Sequence, residues 1–175
     1  MSGKLELIDK TTISTASANV HIANVFSSKY DAYKIVWSNL TSIDTSNTSV
    51  NLRLHDGSSV ITANYNYVLF NVAAHQAATA QVSSSASYIL RFFGDLDGGT
   101  GQSTNGVGYI FNPFGSGYTF AQSESGHDTS QNGGTFECRA TSGVLRNSSS
   151  MTGFVIHNPN RNYNEGEILT YGIAD

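Results

Sequence analysis

The residue types that carry chemistry are present in this chain, but their spacing does not assemble them. Five histidines, His21, His55, His75, His127 and His157, lie far apart with no His-x-His and no His-Glu-x-x-His, so a zinc site would require distant residues to converge. Serines are abundant, yet no Gly-x-Ser-x-Gly elbow occurs, and Gly115-Ser116-Gly117 reads as a flexible loop between Phe114 and Tyr118. His127-Asp128 beside Ser123 and Ser125 supplies the types of a catalytic triad in a turn-like segment, whereas triads are built from separated positions. Asp95, Glu124, Asp128 and Glu137 could furnish the paired carboxylates of glycoside hydrolysis, a chemistry decided by a separation in space that sequence does not give. Asp95-Leu96-Asp97-Gly98-Gly99 has the opening of a calcium loop but runs on without a closing glutamate. The expectation is a non-enzymatic protein with no catalytic residue, no metal and no cofactor.

The elements that would position these residues are strands. Val50, Leu52 and Leu54 alternate with Asn51, Arg53 and His55, and the same period of two runs through Tyr33, Ile35 and Trp37. Tyr65-Tyr67-Leu69 and Tyr88-Leu90-Phe92 are apolar on both faces and predict strands buried twice. Turn signals separate them: Asp56-Gly57, Asp97-Gly98-Gly99, Asn105-Gly106, Asn112-Pro113 and Asn132-Gly133-Gly134. The pattern predicts an all-β antiparallel sandwich of about eight strands, with Ile35, Trp37, Leu52, Leu54, Phe136, Phe154 and Leu169 in the core. The one cysteine, Cys138, shares a strand face with Phe136 and Ala140 and reads as a small core residue. The alanines between Asn71 and Gln81 allow a turn or two of helix, or an irregular crossing. Ser83 to Ser87 and Gly94 to Gly108 read as exposed loops. Gly108-Tyr109-Ile110-Phe111-Asn112-Pro113 and Gly153-Phe154-Val155-Ile156-His157-Asn158-Pro159 echo one another and contain both prolines, each an apolar strand ended by Asn-Pro.

Composition narrows the partners. The 175 residues suit a single domain spanning the chain. Charged residues make up only 13%, while Ser, Thr, Asn and Gly supply about two-fifths, so the surface is neutral and polar. A net charge of -4 offers no basic stripe, and nucleic acid is not an expected partner. Residues 1–9 lack the apolar core of a signal peptide and no apolar run reaches a membrane span, which predicts a soluble protein made in a cytoplasm, without membrane insertion. The sequons at Asn39, Asn47 and Asn147 are expected by chance in a chain so rich in Asn, Ser and Thr.

The order of motifs carries a resemblance. Tyr30-Asp31-Ala32-Tyr33, Asn51-Leu52-Arg53-Leu54, Gly108 to Pro113 followed by Tyr118-Thr119, and the closing Ile168-Leu169-Thr170-Tyr171-Gly172-Ile173 resemble the jelly-roll-like β-sandwich domains of tailed phages, marine and cyanobacterial phages especially. Those domains are virion structural or tail-fibre proteins. The resemblance spans about Leu5 to Ile173 and implies a virion location, contacts with other capsid or tail proteins, and a homo-oligomer with threefold symmetry favoured. With no long shaft-forming region, a compact capsid decoration (cement) protein or appendage module fits better than a long fibre. Leu5, Leu7 and Ile8 form a candidate assembly arm within residues 1–9, able to add to a neighbour's sheet edge or to pair within their own domain. The alternative function is a carbohydrate-binding or host-receptor-binding module, with Phe114, Tyr118 and Tyr163 as candidate contacts to a host surface glycan.

Overall fold

The computed structural model describes residues 4–43, 47–74, 76–96, 102–129 and 135–174. Their regular structure is entirely strand, and every paired neighbour runs antiparallel. One layer is an eight-stranded sheet, in the order β1 (Lys4–Ile13), β13 (Tyr163–Ala174), β3 (Ala32–Ser42), β9 (Thr104–Phe111), β10 (Thr119–Thr129), β11 (Thr135–Leu145), β6 (Tyr65–Ala73) and β7 (Gln76–Ala86). The second layer is a three-stranded sheet of β2 (Asn19–Ile22), β12 (Gly153–His157) and β5 (Asn51–His55). A short ribbon pairs β4 (Thr48–Ser49) with β8 (Asp95–Leu96). The all-β antiparallel sandwich is therefore as the alternation predicts, with unequal layers. A jelly roll divides eight strands between two sheets; here one sheet alone holds eight.

Burial follows the pleat. Tyr33, Ile35 and Trp37 of β3 point into the space between the layers, as do Leu52 and Leu54 of β5 and Phe154 and Ile156 of β12. Loop residues Phe26, Ile89, Phe92 and Phe93 fill the middle. Phe93 meets the Trp37 indole edge-on at 5.0 Å between centroids and stacks on Phe154 at 6.3 Å, joining the two layers through aromatic contacts. Trp37 fits because its cross-strand partner is Gly106, where a Cβ would collide with the indole. Tyr65 of β6 reaches across the core: its hydroxyl accepts from the Leu54 backbone N–H at 2.8 Å and donates to the Ile61 carbonyl at 3.2 Å. Burial raises that phenol's pKa, and the two hydrogen bonds offset its desolvation.

Several expectations fail, each for a physical reason. Tyr88 to Phe92 is a crossing segment: Ile89 makes a single bridge to Leu52, the chain turns through Arg91 at φ 53°, and Phe92 and Phe93 plug the core. The alanine-rich stretch forms the β6–β7 hairpin, because cross-strand pairing overrides alanine's helical preference. Ser83 to Ala86 belong to β7, and Asn105-Gly106 lies inside β9. Asp95 and Leu96, expected in an exposed loop, are buried in β8. The turns at Asp97-Gly98-Gly99 and Asn132-Gly133-Gly134, and His75, lie outside the described residues. The two Asn-Pro echoes end strands in opposite layers, β9 in the large sheet and β12 in the small one.

Candidate interaction surface

The outward side of the eight-stranded sheet carries a large apolar set interrupted by a few polar residues, among them Lys34, Gln122, Glu124 and Ser142. On β11 the inner positions are Glu137, Arg139 and Thr141, all buried, while Phe136, Cys138 and Ala140 face out. Phe136 is 56% exposed, and Cys138 is exposed too. Both were expected in the core, and Leu169, expected beside them, is only half-buried on the outward side of β13. Period-two alternation identifies two faces without saying which one the second layer covers. The outward apolar set continues across the sheet through Val68, Phe70 and Val72 of β6, Val82 of β7 and Phe120 of β10. It passes over Val107, Tyr109 and Phe111 of β9, the last two rings stacked at 6.2 Å. The relief is pitted where small residues separate large ones. One depression of about 510 Å³ lies among Val68, Val82, Phe120 and Val144. A second, of about 420 Å³, lies among Phe70, Val72, Val107, Phe136 and Ala140. The Phe136 ring lies over Gly126, where a Cβ would strike it.

Leu5 and Leu7 join this surface: they are exposed, and their partners on β13 are Ile173 and Tyr171. The proposed arm is thus not free. It is the edge strand β1 of its own sheet, and Ile8, at a bulge, packs partly against the core. The loop aromatics separate. Phe114 is half-buried beside a small cavity of about 140 Å³ lined by Ser27, Tyr30 and Asp31, and Tyr118 is half-exposed in the same loop. Tyr163 is completely buried at the start of β13, at the opposite end of the sheet, so it cannot contact a ligand; its phenol pKa is driven up by burial.

Behind the apolar surface, between the layers, lies an ionic cluster that sequence spacing did not suggest. Asp95 is held by Arg139 and by Arg91 Nε at 2.9 Å. Arg139 also donates to Glu137 Oε2 at 2.7 Å and to Asn71 Oδ1 at 3.0 Å, and His127 Nε2 stands 3.8 Å from Glu137. The arginines occupy the carboxylates that a glycosidase or calcium loop would need free: Asp95 and Glu137 face Arg139, Glu124 and Asp128 lie on the outward side, and Asp97 falls outside the described residues. Likewise His127, Ser123 and Ser125 point inward while Asp128 points out, so that triad does not form.

Three histidines share one face, each in a different cross-strand row. His21, His55 and His157 occupy the outer side of the small sheet, with Arg53 among them. His157 donates its Nδ1–H to Asn19 Oδ1 at 2.7 Å and lies 5.7 Å from the Tyr88 ring. Burial lowers the pKa of His55, and burial reinforced by Arg53 lowers that of His157 to about 4. Among the described residues no group of three or more His, Cys, Asp or Glu side chains is placed to hold a metal ion, and no helix is long and apolar enough to cross a membrane. Comparison with protein-family models, curated proteins and solved structures finds no match.

Proposed function

We propose that this chain is a non-enzymatic structural module of a phage virion, displayed on the particle surface as a capsid decoration protein or as part of a tail or fibre appendage. The observation that carries the assembly part is the inverted β11, which buries Glu137 and Arg139 and turns Phe136, Cys138 and Ala140 outward. Contiguous apolar surface across several strands of one sheet is the kind of exposed patch that marks an interaction site. The order of motifs supports the virion assignment through its resemblance to phage β-sandwich domains. The partners on this reading are other capsid or tail proteins and further copies of the chain.

A second reading, a carbohydrate- or receptor-binding module, is favoured by the half-exposed Tyr118 and by the small polar cavity beside Phe114. It is compatible with a virion location. Imaging purified phage particles with a label on this polypeptide tests the assignment: regular copies on the particle support it, and absence from particles made by cells that express the protein overturns it. Stoichiometric transition metal in the purified protein, or cleavage of a host polysaccharide lost on Glu124→Gln substitution, would overturn the non-enzymatic part.

A further inference from the structure

We infer that the outward side of the eight-stranded sheet is covered by the same side of a second copy of this chain, the two sheets packing face to face about a twofold axis. This rests on the assembly reading, names its first partner, and sets a twofold pairing in place of the threefold symmetry that the resemblance implies.

Size is the first argument. Eight strands about 4.8 Å apart, each offering outward positions over roughly 20 Å, present on the order of 700 Å². A stable interface takes about 800 Å² from each partner, so one mate of the same size is enough. The relief is the second. Rings of Phe70, Phe120 and Phe136 stand beside open depressions on the same surface, and a twofold mate brings knobs to holes from one sequence.

Charge is the third. On β3, β9, β10 and β11 the outward charges are Lys34, Glu124 and, at the far end of β10, Asp128, of which the first two lie near the middle of the sheet. Neither forms an ion pair with another described residue. Lys34 pairs with Tyr109, Tyr109 with Gln122, and Glu124 is the next outward residue on β10. Two strands and one outward step separate them, roughly 12 Å, too far for a pair within one copy. A twofold axis lying between the sheets and crossing midway between the two residues sets each Lys34 against the partner's Glu124. Both charges, without an ion pair to another described residue in the single chain, then each gain one partner, giving two symmetric pairs across a self-complementary interface.

Sedimentation and light scattering of the full chain over a wide concentration range test this. The wild type is expected to form dimers. Lys34→Glu and Glu124→Lys, each alone, place like charges in contact and are expected to weaken association about tenfold or more. An equimolar mixture of the two variants, and the double variant, are expected to recover it. Recovery in the mixture also shows that both single variants fold. A wild type that stays monomeric, a threefold mass, single variants that associate as well as the wild type, or a mixture that fails to recover each overturns the pairing. None of these results alters whether labelled particles carry the protein, so the pairing and the virion assignment fail separately.

Discussion

Phe136 and Glu137 are adjacent on β11, and it is the phenylalanine that faces water while the glutamate, 8% exposed, is buried on the inward side. The glutamate is tolerated there because Arg139 bonds it and bridges onward to Asp95 and Asn71. The phenylalanine stands on the outward side, on the surface proposed above to be covered by a second copy. That single inversion ties the buried ionic cluster and the apolar outer surface to one strand.

Outward and inward aromatics should therefore respond oppositely to truncation. Phe120→Ser is expected to change the stability of the isolated chain by no more than about 0.5 kcal/mol, as exposed substitutions do, while weakening self-association. Trp37→Ala, in the middle of the core, is expected to cost about 3–5 kcal/mol. Denaturant titrations of dilute protein measure both; a Phe120 loss as large as that of Trp37 would contradict the placement of the outer surface.

The ionic cluster predicts a second asymmetry. Arg139→Met removes the partner common to Asp95 and Glu137 and leaves buried carboxylates short of compensation, with an expected cost of about 3–5 kcal/mol. Lys10→Met breaks only the exposed pair with Glu167 and is expected to cost at most about 1 kcal/mol. Equal losses in the same denaturation assay would mean that the cluster is solvated in the folded protein.

Much of this fold was legible. Tyr33, Ile35, Trp37, Leu52, Leu54 and Phe154 are buried as their alternation predicts, because one apolar and one polar face leave a single way to lay each strand. Legibility failed where both faces carry a reason to be buried. On β11 the inner residues are charged but mutually paired across β8, β10 and β6, a partnership between distant segments that no local pattern records. Tyr163 reads as a loop aromatic from its Asn and Gly neighbours, yet pairing with Ser42 and Ser17 starts a strand there and buries it. The outer surface could have been suspected from β6, where Val68, Phe70 and Val72 leave no polar face to give to water.

Acid should loosen the small sheet through its histidines. The His157 pKa is lowered from 6.5 to about 4, so the neutral imidazole is what the folded state holds. Its contribution to stability is complete above pH 6.5 and is lost as the pH falls from there toward 4, since the unfolded chain binds the proton first. His55, lowered by burial, adds in the same direction. Melting temperatures are expected to drop across this window in the wild type and to drop less in His157→Gln. Parallel curves for the two proteins would contradict the assignment.

Gly106 is expected to resist any side chain. Gly106→Ala would drive a methyl group into the Trp37 indole and the Glu124 carbonyl, with an expected cost of about 1–3 kcal/mol from overpacking. A smaller loss from Gly106→Ala in a Trp37→Leu background than in the wild type, read by thermal denaturation, measures the indole's share of the collision, the Glu124 carbonyl keeping the rest; a fully stable Gly106→Ala variant would contradict the close approach.

The most direct measurement uses the chain's own cysteine. Cys138 stands on the outer surface between Phe136 and Ala140, exposed in the single chain. Its alkylation rate with a neutral maleimide should be high in dilute protein and fall as the concentration is raised into the associated range, because assembly covers the thiol. A rate unchanged between dilute and concentrated protein, and unchanged again for the protein in intact particles, would contradict the claim that this surface is an interface.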